Sequence, residues 1–443
     1  MYRVVFAALC LAVLARPQQP DIAGPITQLA QKPVIAVPEF RGSGDSQKVM
    51  KAFNAALGEE IENSGAMKIA PKTFYPLTTP QRPEDFHRAE WYSPPVSANY
   101  VAFGYAGEKD GGLVLFGWLF NTSPADASNG NLFGKLYFGT LDEAGAKKVA
   151  REYAADILRQ FGLKSLVGTK IYFVSDRTRN KEIWRMDYDG STQERVTNLK
   201  TITQMPAVSP DGATLACSSL QKTRKDSVPN YQIYLMATEV GKRLPFENPP
   251  APTNGWPEFT RDGRHLLFAS SLTGYTQIYL ANLDGSGRRQ ITSAKAIDVS
   301  PKINPKNASD VLFISDRSGS QQLWHMNIDG GDLEMLTNGV GEVANPSWSP
   351  DGRMIAFAWT QGFELGGFNI FVMDIAVRKP IQLTRDSGVN ENPWWAPDGL
   401  HIVYTSRRGG STQIYSMLAD GTNVRQLTQQ GNNYQPVWAT TPQ

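Results

Sequence analysis

A six-bladed, all-β propeller in the C-terminal two-thirds, preceded by a small α/β domain with a mixed sheet and two helices, is the fold this sequence predicts. Three observations predict it: a proline-anchored unit that recurs six times, Asp-Gly turns inside the units, and a tail that repeats only the first part of the unit. The prolines are Pro206, Pro257, Pro301, Pro346, Pro393 and Pro436, at intervals of 43 to 51 residues. Two positions after each stands Val208, Phe259, Ile303, Trp348, Trp395 or Trp438. A turn follows, clearest as Ser349-Pro350-Asp351-Gly352 and repeated as Ser209–Gly212 and Ala396–Gly399. Pro presets φ for the turn, Asp bonds to the local backbone, and Gly accepts the left-handed position.

The next segment of each unit is a β-rich run such as Leu266-Leu267-Phe268 or Ile402-Val403-Tyr404. A polar loop then leads to an aliphatic–aromatic pair: Ile183-Trp184, Ile233-Tyr234, Ile278-Tyr279, Leu323-Trp324, Ile370-Phe371 and Ile414-Tyr415. Asp-Gly at 189, 284, 329 and 420 marks a hairpin. Most units close on an aliphatic residue and a threonine, as at Val196-Thr197 and Leu427-Thr428. Four short strands in about 45 residues make one propeller blade. The first unit starts at Ile171 without its Pro-x-Trp strand, and Pro436-Val437-Trp438 has no blade after it. The tail is therefore expected to supply the inner strand of blade one and close a ring over residues 168–443, hiding two sheet edges.

Residues 33–163 lack the repeat and read as α/β. Val34–Val37 is a strand ending at Pro38; Asp45 or Ser46 is placed to cap a helix with Val49, Phe53, Leu57 and Ile61 on one face and Gly65 at its end. Tyr100–Ala106 and Leu113–Asn121 flank Lys109-Asp110-Gly111-Gly112 as a hairpin, and Leu136–Phe138 is a further strand. A second helix, from about Asp142 to Phe161, aligns Val149, Tyr153, Ile157 and Phe161. Two helices on one face of a mixed sheet follow.

At the N-terminus, Arg3 precedes an apolar run from Val4 to Ala15, too short to span a bilayer and with small residues before Arg16. Residues 1–15 are expected to be an export signal and 16–32, with Pro17, Pro20 and Pro25, a flexible lead. Removal of the signal takes Cys10 and leaves Cys217, so no intramolecular disulfide is expected. No integral membrane segment is expected. The 443 residues carry 44 Lys and Arg against 42 Asp and Glu, with no basic block, which argues against nucleic-acid binding.

Catalytic patterns are sparse. His87, His265, His325 and His401 show no metal-ligand spacing, and His265 and His401 share one place in the repeat, which reads as a surface strand position. No Gly-x-Ser-x-Gly, Walker or Rossmann fingerprint occurs. No catalytic residue, metal or cofactor is expected, and Trp348, Trp395 and Trp438 are expected to pack within blades. Function is placed instead on the loops entering each inner strand and on those joining strands two and three, which share one rim. The residues expected to meet a partner are Asn254, Gly255, Trp256, Asp298, Glu342, Asn345, Glu391, Asn392 and Asn433, with Arg177, Arg317 and Arg407 beside them. Mixed acid, amide, arginine and aromatic groups suit a protein partner, with Trp256 as anchor. Trp256 and Glu391 are read as lying outside the blade strands.

The Pro-x-Trp-Ser-Pro-Asp-Gly blades, the joint Gly168-Thr169-Lys170-Ile171-Tyr172-Phe173-Val174, and Val34–Pro38 with Glu62-Asn63-Ser64-Gly65 resemble the TolB family, periplasmic components of the Tol–Pal envelope system. The resemblance covers about residues 33–443. It implies a monomeric, non-catalytic periplasmic scaffold that supports outer-membrane integrity and cell division. It also implies two partners: a Pal-like outer-membrane lipoprotein on the propeller face, and a TolA-like inner-membrane protein through the N-terminal region. The alternative is an exported propeller lyase or hydrolase with active residues in the central funnel.

Overall fold

The structure is a computed structural model that describes residues 32–124, 130–222, 228–361, 366–385 and 387–439. The expected export signal and all but Lys32 of the lead lie outside the described residues. Among the described residues no helix is long and apolar enough to cross a membrane.

The N-terminal sheet runs β3-β1-β4-β5-β6, with β2 beside β4. Its strands are β1 (Val34–Ala36), β2 (Arg41–Gly42), β3 (Lys68–Ile69), β4 (Tyr100–Lys109), β5 (Gly112–Asn121) and β6 (Asn131–Thr140). β1 lies parallel to β3 and β4, and β4, β5 and β6 form an antiparallel meander. The β4–β5 turn places Asp110 and Gly111 at φ of 53° and 75°, the left-handed pair that a tight hairpin requires. Helices α1 (Met50–Asn63) and α3 (Glu143–Arg159) cover one face, where Phe53, Leu57, Ile61, Val149, Tyr153 and Ile157 are fully buried together. Asp142 caps α3, accepting from the Gly145 N–H at 2.7 Å.

Two details differ from the sequence reading. Neither Asp45 nor Ser46 caps α1: a 3-10 turn over Gly44–Val49 precedes it, and the Ser46 hydroxyl donates to the Ser43 carbonyl at 2.7 Å. The opposite face of the sheet carries a second layer, with α2 (Arg88–Tyr92) burying Trp91, and Phe86 stacked on Phe103 at 5.5 Å. That segment is rich in proline and has no helical or strand period, so nothing local announces it.

Six four-stranded sheets form the ring, and Asn433–Ala439 pairs antiparallel with Lys170–Thr178 to complete the first blade. Trp438 sits opposite Ile171 and donates to the Thr169 hydroxyl at 2.9 Å. The threonine that ends a unit has a definite task. Its hydroxyl accepts from the third-strand N–H of Ile183, Ile278, Leu323, Ile370 or Ile414 at 2.8–3.0 Å, locking the short outer strand to its neighbour. In the second blade the Asn248 side chain does this for Ile233, at 2.7 Å.

The α/β domain rests on the end of blades one and six where strand one turns into strand two. Arg425 pairs with Glu59 at 2.7 Å, Arg151 with both Glu60 and Asp189, and the Tyr188 hydroxyl donates to Glu60. His401 is part of this seam, not of the surface: Nδ1 meets Asp398 Oδ2 at 2.6 Å and Nε2 meets the Asn63 carbonyl at 2.7 Å. An ionised Asp398 and the carbonyl both accept, so the arrangement favours the doubly protonated, cationic imidazole. Burial opposes that charge; Asp398 and the Asn63 carbonyl outweigh it, and the imidazole titrates above its ordinary value. His265, at the same place in its repeat, stays about two-fifths exposed because no domain covers its blade.

Candidate functional site

The other end of the ring is open. Each inner strand breaks register just around its proline: between Gln204 and Ala207, Gly255 and Glu258, Val299 and Lys302, Ala344 and Ser347, Glu391 and Trp394, and Tyr434 and Val437. Proline has no N–H for the ladder, so a bulge forms there. The residue before it is held at positive φ in all six blades: Met205, Trp256, Ser300, Asn345, Asn392 and Gln435, at 49–57°. These residues and all of the prolines but Pro301 line a funnel. Its floor is a charged plug, with Lys302 Nζ 2.7 Å from Glu258 Oε2 and 4.4 Å above the Trp394 ring. Burial pushes the Glu258 carboxyl up, and the Lys302 ammonium pulls it back only in part. Below the plug the channel continues among Trp348, Trp395 and Trp438, which are packed into their blades.

Lys302 is the one ionisable side chain among the described residues lining the funnel. The rest is proline, tryptophan, methionine, valine, serine and amide. Such a lining suits a protruding, largely uncharged protein loop. The bulges fix its shape in the backbone before any partner arrives.

The structure sorts the expected residues into three groups. Trp256, Asn345 and Asn392 face the funnel. Glu342, Glu391 and Arg407 stand at its rim: Arg407 is exposed, Glu342 and Glu391 are half-buried, and burial raises the Glu391 carboxyl against the pull of Arg407. Trp256 and Glu391 belong to blade strands, Asn254–Phe259 and Val389–Trp395, and not to loops.

The remaining residues are spent inside the protein. Asn254 is fully buried, donating to the Pro249 carbonyl at 3.0 Å and accepting from Ser270 at 2.7 Å. Asn433 is buried against Gln413 at 2.8 Å, and Asp298 against Arg317 at 2.7 Å. Gly255 lets the neighbouring blade approach, since a Cβ there would lie 3.2 Å from the Ser218 hydroxyl. Arg177 and Arg317 lie over their own blade aromatics, with guanidinium carbons 4.5 Å from the Trp184 ring centre and 5.1 Å from Trp324. Each also donates to the serine two residues earlier, at 2.9 and 2.8 Å. In blade six Arg408 takes that task, through Ser406 and Tyr415, which leaves Arg407 outside.

Sequence reasoning missed Met205, Ser300, Gln435, Lys302 and Trp394 as funnel residues, and Glu258 beneath them. The pointer was available: they stand immediately before or after the anchoring proline of each unit.

The TolB β-propeller domain family matches residues 158–364 and 334–442, which together cover most of the ring. The chain belongs to this TolB family. It is similar to the protein TolB homolog of Chlorobium chlorochromatii, 33% identical over 211 residues, 47% of this chain and 44% of that one. A protein named Tol-Pal system protein TolB, from Anaeromyxobacter dehalogenans, is 28% identical over 307 residues, 67% and 66% of the two chains. The match thus spans about half the length of the Chlorobium relative. The crystal structure of TolB from Acinetobacter baumannii superposes with a TM-score of 0.74 over 93% of this chain and 97% of that one, at 23% identity, and shares the fold. The funnel is therefore a feature carried on a TolB-type architecture: a mixed α/β domain followed by a six-bladed ring.

Proposed function

We propose that this chain is a non-catalytic, monomeric scaffold of the Tol–Pal envelope system, acting in the periplasm to support outer-membrane integrity and cell division. In this reading the open funnel holds a peptidoglycan-associated, Pal-like lipoprotein of the outer membrane. Residues 33–163, with the segment before them, meet other Tol proteins such as a TolA-like inner-membrane partner. The family membership supports the system, and the apolar run Val4–Ala15 supports export. The observation that carries the binding face is the ring of six left-handed residues, which sets Trp256, Asn345 and Asn392 around one rigid mouth.

Isothermal titration against the cognate lipoprotein tests this reading. Trp256→Ala is expected to weaken binding by about 2 kcal/mol, roughly thirtyfold, as a central aromatic anchor does. Melting curves separate lost binding from unfolding, because the side chain sits in a strand. Full-strength binding by Trp256→Ala combined with Glu391→Ala would move the lipoprotein site off the funnel. Turnover of a uronate, ester or peptide substrate that disappears in Glu258→Gln would instead establish the enzyme alternative, since Glu258 is the carboxylate in mid-channel.

A further inference from the structure

β6 is the edge of the N-terminal sheet, ten residues long, and among the described residues no strand pairs with its outer side. Edge strands of this length are commonly blunted by proline, a bulge or an outward lysine. β6 has no proline, its one register shift lies near its start, and Lys135 is turned towards Asp156 at 2.7 Å. Successive side chains of the strand fall on opposite faces. Leu136 and Phe138 project on the face away from α3 and are 42% and 58% exposed. They extend the aromatic row formed by Phe116 and Tyr105, whose rings stack at 4.8 Å. Lys135 and Tyr137 project towards α3.

Along this edge runs a groove of about 930 Å³, bounded by β6 and α3 on one side and by the linker and the propeller turn at Pro397 on the other. A walled groove beside an unpaired strand has room for an extended chain but not for the flat face of a second folded copy. Its charges have a sign. Asp156 is already held by Lys135 and Arg159, and Glu152 by Lys148 at 3.3 Å, so Lys164 and the shared cations leave the groove positive.

We propose that β6 receives an extended segment of a partner protein as an added strand, with acidic and apolar residues alternating in that segment. The alternation follows from the strand period of two. Successive side chains of the incoming strand fall alternately on the α3 side, where they meet Lys135, Arg159 and Lys164, and on the open side, where they meet Leu136 and Phe138.

The test uses full-length protein and a labelled peptide of four Val-Glu repeats with blocked ends, followed by fluorescence anisotropy. Saturable binding is expected, together with a loss of about tenfold, or 1.4 kcal/mol, in either Phe138→Ser or Lys164→Glu, both at exposed positions that leave the fold intact. Methylating alternate backbone nitrogens should abolish binding for one of the two possible sets, because only one set faces the strand. Three results would overturn the proposal: absence of saturable binding; equal binding of a Val-Lys peptide; or equal binding of both methylated peptides. Sedimentation that shows concentration-dependent dimers, lost in Phe138→Ser, would also overturn it by assigning the edge to a second copy.

Discussion

The two ends of the ring are built on opposite physical plans. At the open end the funnel mouth is shaped by backbone: six bulges, six prolines and six residues held at positive φ, with Lys302 the one charge among the described residues of the lining. At the covered end, contact with the α/β domain draws on many ionisable side chains, Glu59, Glu60, Arg151, Asp189, His401 and Arg425 among them, beside the close packing of Gly65 on Leu418. A surface meant to stay in place through binding gains from a shape that does not depend on protonation. A seam between two domains tolerates, and can use, contacts whose strength follows pH. The first plan predicts rigidity and the second predicts tunable coupling.

The sharpest way to break this contrast is through the funnel floor. Lys302→Met leaves the Glu258 carboxylate buried without its cation, which should cost about 3 kcal/mol or more. The carboxyl, already raised, then rises further, so the unpaired charge is most costly at high pH. The melting temperature of the variant should therefore fall further below that of wild type as pH rises and the Glu258 carboxyl loses its proton. Adding Glu258→Gln should restore most of the loss, and a double variant no more stable than Lys302→Met would mean that the plug is not an ion pair in practice.

Next in size is the seam. His401→Ala leaves Asp398 and the Asn63 carbonyl without their donor, expected to cost about 1.5–3 kcal/mol, the range for hydrogen bonds to a charged group. A histidine whose folded value lies above its unfolded one contributes fully below about pH 6.5 and loses that contribution as pH rises through the folded value. The melting difference between wild type and His401→Ala should therefore be widest near pH 6 and narrow towards pH 9. A difference constant with pH would show that the imidazole is not charged in the seam. His265→Ala, at the equivalent but uncovered place, should shift stability by less than about 0.5 kcal/mol, as exposed substitutions do.

The smallest effect sharpens the reading of the funnel. Ser300 sits at φ 55°, a left-handed conformation that costs a side-chain-bearing residue about 1–2 kcal/mol. Ser300→Gly relieves that strain but frees the unfolded chain, so a net stabilisation of about 0.5 kcal/mol is expected from calorimetry. A clear destabilisation would mean that the Ser300 hydroxyl, and not only its backbone, holds the mouth together.

Much of the fold was legible in the residues because its determinants are local. Ser-Pro-Asp-Gly turns act on their own backbone, as when Ser349 donates to Asp351 at 2.5 Å and Gly352 takes φ 70°. The aliphatic–aromatic pairs mark each third strand, and the recurrence of both sets the blade count. The α/β layer was legible where its helices kept a 3.6-residue period, and not across residues 71–99, where Trp91 is buried by contacts distant in sequence.

The site was legible only to its neighbourhood. Strand alternation carries a reading of inside and outside as far as the proline, but the bulge inserts one residue and reverses the phase. Asn254 therefore points into the blade while Trp256 points into the funnel, and Glu258 and Lys302 reach the channel axis. No rule of spacing chooses between His265 and His401, which have the same place in the repeat. One is a surface residue and the other a buried cation because the α/β domain lies over blade six and not over the blade of His265. Turn chemistry and repeat period belong to the chain by itself; which side chains lose water, and so which charges must find partners, was decided only when blades and domains came together.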